Sequence, residues 1–184
     1  MTRGPDANPE ADPDVPGGAR APVRVLFVCM GNICRSPTAH AVMKHLVETR
    51  GLAGQVEIDS AGTHDYHPGA RSDPRTRAAG ERRGYLFDHR ARQVRPDDFD
   101  RFDHILVMDD TNLADIAAHH PPGGPRAGLV RPLLSHWPES PCPHVPDPYY
   151  GGPDGFERVL DLVESGCGAL LEDLVKRHGL LAGR

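Results

Sequence analysis

At 184 residues, with 38% hydrophobic and 26% charged side chains, the chain has the make-up of one soluble globular domain around one core. A formal net charge of −5 leaves no positive excess to meet nucleic-acid phosphates, so no nucleic-acid partner is expected. No apolar run approaches the roughly 18 residues that cross a bilayer, so none is expected to enter a membrane.

Residues 1–22 are polar and rich in Pro, Gly and Asp, and bury too little surface to offset ordering entropy. They read as a disordered N-terminal tail before a single domain at 23–184. The start lacks the basic-then-apolar order of a secretory signal, which points to the cytoplasm. Cys29, Cys34, Cys142 and Cys167 accordingly read as thiols and not as a disulfide framework.

Val23-Arg24-Val25-Leu26-Phe27-Val28 is a near-continuous apolar run with β-branched residues, the pattern of a strand buried on both faces. A helix is predicted from Ser36 as N-cap, with Pro37 at its first position, an apolar stripe through Ala39, Val42, Met43, Leu46 and Val47, and Gly51 as its end. Val56 to Ala61 reads as a strand, 62–72 as a loop, and Asp73 as the cap of a helix running to about Arg83. A buried strand follows over His104 to Met108, then a short helix through Leu113 and Ile116, a fourth strand over Gly128 to Leu134, and a Pro-rich loop at 135–153. Phe156, Val159, Leu160, Val163, Cys167, Leu170, Leu171, Leu174 and Val175 recur at helical spacing in the last element, with Asp154 as its expected cap. Strands alternating with helices imply a doubly wound α/β fold: a mostly four-stranded parallel sheet with helices on both faces.

The chemistry concentrates in Cys29-Met30-Gly31-Asn32-Ile33-Cys34-Arg35-Ser36, between the first strand and the first helix. At such a junction successive backbone N–H groups converge on an anion, helped by the positive end of the helix dipole. Gly31 is expected to supply backbone angles that let the loop curl. A cysteine opening the loop has its thiolate favoured by those amides and by Arg35, whose planar fork holds two phosphate oxygens as Lys cannot. A bare Cys-x5-Arg is common by chance; the strand–loop–helix setting makes it specific.

These residues resemble the phosphate-binding loop of low-molecular-weight protein tyrosine phosphatases. Asp147-Pro148-Tyr149-Tyr150 resembles that family's general-acid loop. Asp59 to Thr63, His89 to Gln93 and Met108 to Asn112 are further matches, together covering about residues 23–180. The resemblance implies a fold of the same α/β type and hydrolysis of phosphotyrosine through a cysteinyl-phosphate. Cys29 would be the nucleophile, Arg35 the clamp, and Asp147 the acid and then the base. The loop Met30, Gly31, Asn32, Ile33, Cys34, Arg35 and Ser36 would bind phosphate, with Ser36 on the Cys29 sulfur. Asn32, Ser60 and His89 would hold the loop, and Tyr66, Tyr149 and Tyr150 would wall the cleft. It also implies phosphotyrosine proteins as partners, a tyrosine kinase among them, and a monomer or weak dimer. No cofactor or metal is implied, since amides and Arg35 neutralise the phosphoryl charge.

The family often has Glu where this chain has His40. Cys34 is either a tolerated loop neighbour or a thiol that pairs reversibly with Cys29, as the resemblance suggests. Cys167 reads as core, and Cys142 has no assigned role. His64 and His67 lack acidic or cysteine partners at metal-ligand spacing. Arsenate reductase, protein-arginine phosphatase and a catalytically dead binding module are the competing functions. The first needs cysteines between Cys34 and Cys142, where there are none; the second favours Thr in place of Ile33.

Overall fold

The computed structural model describes residues 20–119 and 129–182. Nearly all of the segment read as a tail, and Gly128 of the expected fourth strand, lie outside the described residues.

The strands are β1 (Val23–Cys29), β2 (Val56–Gly62), β3 (His104–Val107) and β4 (Val130–Pro132), and the helices are α1 (Arg35–Thr49), α2 (Pro74–Arg82), α3 (Asp98–Arg101), α4 (Asp110–His119) and α5 (Pro153–His178). A 3₁₀ turn, Leu133–His136, follows β4. All strands pair in parallel, in the order β2-β1-β3-β4. This is the doubly wound sheet expected from the alternation of elements.

Period-two alternation along β1 divides the core. Val23, Val25, Phe27 and Cys29 join one cluster with α1 and α5, while Leu26 and Val28 join a second with Phe99, Phe102, Ile105 and Ile116. Helices therefore cover both faces. Because β1 lies between β2 and β3, the chain leaves it in opposite directions along the sheet, and a crevice opens at the carboxyl end of β1 beside that of β3. Cys29 ends β1 and Asp109 follows β3, so both border that crevice.

Several local expectations change. The N-cap of α1 is Cys34, and Ser36 sits inside the first turn with its hydroxyl turned to Cys29 instead of to a helix amide. Pro37 still fits, because first-turn N–H groups have no helical acceptor. Asp73 does cap α2, its carboxylate accepting from Arg75 N–H. Asp154 does not cap α5: Gly152 holds that position and Pro153 opens the helix. β4 is shorter than Gly128 to Leu134, since Pro132 has no N–H to extend a ladder and the chain turns at once into the 3₁₀ turn.

Candidate active site

Cys29 is almost fully buried, and its Sγ lies 3.0 Å from Ser36 Oγ. The carbonyls of Cys29, Met30 and Ile33 accept from Thr63 N–H, His64 N–H and Asp73 N–H at 2.8, 3.0 and 2.8 Å. The C=O and N–H of a trans peptide point in opposite directions, so the N–H groups of Met30, Gly31 and Cys34 are turned away from those partners. With the start of α1 behind them, these N–H groups can converge on an anion.

The residue that curls the loop is Asn32 and not Gly31. Asn32 has φ +54°, and among the described residues it alone is a non-glycine with positive φ. Its side chain offsets the strain by making four hydrogen bonds. Nδ2 donates to Ser36 Oγ at 2.9 Å and Ser60 Oγ at 3.0 Å, while Oδ1 bonds His89 Nε2 at 2.9 Å and accepts Arg92 N–H at 3.0 Å. Gly31 matters for space: a Cβ there would lie 3.3 Å from the His67 ring.

Arg35 is buried at 2% exposure, and its guanidinium donates to Asp109, to Val145 O at 3.1 Å and to Asp147 Oδ2 at 3.3 Å. Burial pulls its pKa down, but the facing Cys29, Asp109 and Asp147 outweigh that and raise it, so the charge is secure. Asp109 was not singled out from sequence. The available signal was its place in Met108–Asn112, a segment that resembles the family but carried no assigned role. Asp147 is 42% exposed, and its Oδ1 accepts Tyr149 N–H, fixing the turn.

Cys29, Arg35 and Asp147 meet in a cleft of about 350 Å³. Tyr66, Tyr149 and Tyr150 line its mouth together with His67, and Ile33 adds apolar surface. Tyr149 and Tyr150 meet edge to face at 4.9 Å, and the Arg75 guanidinium lies over Tyr149. Ser60 and His89 stand behind the loop and touch the site through Asn32.

All four cysteines are free. Burial pushes the Cys34 thiol up to about 12, and burial alone raises that of Cys167. Cys142 donates to His144 O. His64 stacks on Tyr66, and His67 faces the cleft.

The arrangement can bind a dianion in the nest, attack it with sulfur, and exchange a proton at the mouth. The family model for low molecular weight phosphotyrosine protein phosphatases matches residues 24–179. A putative low molecular weight protein-tyrosine-phosphatase of Synechocystis is 44% identical over 154 residues, covering 84% of this chain and 98% of that one. A low molecular weight protein-tyrosine-phosphatase of Streptomyces coelicolor is 46% identical over 150 residues, covering 80% and 91%. The crystal structure of a protein tyrosine phosphatase from Entamoeba histolytica, with Hepes in its active site, superposes with TM-score 0.81 at 39% identity, covering 85% of this chain and 99% of that one.

Proposed function

The chain belongs to the low molecular weight phosphotyrosine protein phosphatase family, and on that footing we propose which residues carry the hydrolysis of phosphotyrosine. The Cys29 thiolate attacks phosphorus as the P–O bond to the phenol breaks. Asp147, as carboxylic acid, gives its proton to the leaving oxygen. Water then attacks the cysteinyl-phosphate, Asp147 takes the proton, and the S–P bond breaks to release phosphate and the thiolate. Three phosphoryl oxygens spread their charge over the loop amides and Arg35, where fixed dipoles stabilise the transition state without reorganising.

The observation that carries this reading is the meeting of Cys29, Arg35 and Asp147 in one cleft, although Asp147 lies 112 residues beyond Arg35. A bound phosphoryl group competes for Arg35 and frees Asp147 to face the leaving group. Ser36 holds the sulfur, while Asn32, Ser60 and His89 keep the loop in shape. Tyr66, Tyr149, Tyr150 and Ile33 present an apolar wall suited to an aryl ring and poorly suited to a guanidinium, which favours phosphotyrosine over phosphoarginine. Arsenate reduction needs a relay of thiols, and Cys167 is fully buried in the core.

The substrates on this reading are phosphotyrosine proteins, a tyrosine kinase that carries the modification among them. The phosphatase domain spans 23–184 and works as a monomer or weak dimer in the cytoplasm, where Cys29 stays reduced. Among the described residues no helix is long and apolar enough to cross a membrane.

Asp147→Asn tests the mechanism. General-acid help is worth typically 10²–10⁴-fold where the leaving oxygen is basic and little where it is not. Burst measurements of phosphoenzyme formation should show a steep loss with phosphotyrosine and a mild one with an aryl ester bearing strongly electron-withdrawing groups. Equal losses on both would make Asp147 a turn residue only.

A further inference from the structure

His40 on α1, Asp59 on β2 and His89 in the loop after α2 each offer one ligand atom, all within 4.8 Å of one another. None lines the substrate cleft. The hydrogen bonds fix a proton on one nitrogen of His89. Arg92 N–H can only donate, so the Asn32 atom that receives it is the amide oxygen, and His89 Nε2, bonded to the same oxygen, must carry a proton. In the neutral ring Nδ1 is then a bare lone pair, and it lies 3.5 Å from Asp59 Oδ1. Nδ1 and the carboxylate thus face one gap, which a proton on the ring or a metal ion can fill.

The surroundings suit a metal ion. A ligating histidine is commonly held by donating its other N–H to an oxygen, as His89 does to Asn32. His40 makes one long hydrogen bond, Nδ1 to Ser60 Oγ at 3.4 Å, and its ring lies 5.1 Å from that of His89. Bond lengths of about 2.0–2.1 Å call for donors roughly 3.3 Å apart, so binding draws the three donors together. Two imidazoles and a carboxylate suit first-row transition ions, whereas magnesium and calcium prefer oxygen shells. Arg92 grips Asp59 Oδ2 at 2.8 Å, and Ser60 N–H takes one lone pair of Oδ1 at 2.7 Å, which moderates the affinity.

We propose that His40, Asp59 and His89 bind zinc or a similar first-row divalent ion at a site separate from the catalytic cleft, bracing the phosphate loop through Asn32. Its existence does not depend on the catalytic roles assigned above.

The test uses the full chain carrying Cys29→Ser, which removes the thiol proposed as the nucleophile of the cleft. Metal-stripped protein is titrated with cobalt(II), then with zinc(II). One equivalent of cobalt should give visible d–d absorption without sulfur charge transfer, and zinc should displace it. Zinc at a hundredfold excess over its Kd should raise Tm by roughly 5–10 °C. His40→Gln and, separately, Asp59→Asn should abolish both signals, with folding checked by circular dichroism, while His64→Gln should keep them. Absence of one-to-one binding, a sulfur charge-transfer band, or signals that survive His40→Gln would overturn the proposal.

Discussion

Arg35 heads the fully buried side chains among the described residues, and a buried charge is tolerable only when paired. Its pairing rests heavily on Asp109, which does two jobs: Oδ2 holds the guanidinium, and Oδ1 accepts Asn112 N–H at 2.8 Å in the first turn of α4. Removing the charge with Asp109→Asn has opposing effects. A less negative site favours a bound dianion, but an untethered guanidinium is misplaced in the transition state. Hydrogen bonds to charged groups contribute about 1.5–3 kcal/mol, so kcat should fall about tenfold to a hundredfold. Inhibition by inorganic phosphate should change by less than about threefold. Equal losses in kcat and phosphate affinity would show a general collapse of the loop instead. Cys29 and Arg35 were legible because their motif is local. The role of Asp109 was not, because the group it holds lies 74 residues away, and neither was the positive φ of Asn32, which needs partners from three segments.

Among the elements, α5 was the most legible, because its apolar face repeats over 26 residues and packs against α1 and the sheet. Element ends were harder to read. Ser36 has the chemistry of an N-cap, but Cys29 and Asn32 claim its hydroxyl, so a tertiary contact overrides the local preference. The four residues of α3 are too few to show a period, yet they bury Phe99. In α2, Gly80 has a reason that sequence does not reveal: a Cβ there would lie 2.4 Å from the Phe87 ring. Replacing Gly by Ala in a helix gains up to about 1 kcal/mol, while overpacking costs typically about 1–3 kcal/mol. The overlap involves a ring, which cannot bend aside as a flexible chain end can. Gly80→Ala should therefore lower Tm by roughly 2–8 °C in a thermal melt. A rise in Tm would mean that Phe87 moves freely and that the α2 contact is loose.

At the scale of the whole molecule, the sheet order sets the cleft at the carboxyl end of β1, and alternation of strands and helices made that much readable. The histidines were not readable in the same way, since their burial comes from packing between distant segments. Burial lowers the pKa of His40, His89, His104 and His136 below the ordinary value of 6.5. As pH falls below about 6.5 the unfolded chain takes up these protons before the folded one does, so stability falls with pH. For His40, whose pKa is about 4, the loss is complete only below that pH and amounts to roughly 3 kcal/mol. Denaturant melts in chelator should show stability level above about pH 7 and falling between about 6.5 and 4, with a shallower fall in His40→Gln. An unchanged slope in that variant would place His40 in solvent. The central claim, that the Cys29 thiolate is the nucleophile in a preformed phosphate nest, is tested most directly by Cys29→Ser. Phosphotyrosine turnover and vanadate binding are measured on the same preparation. Turnover should drop by on the order of 10⁴-fold or more, while vanadate binding stays within about tenfold, because amides and Arg35 supply the affinity. Turnover within about tenfold of wild type would contradict the account, and so would loss of vanadate binding in a folded protein.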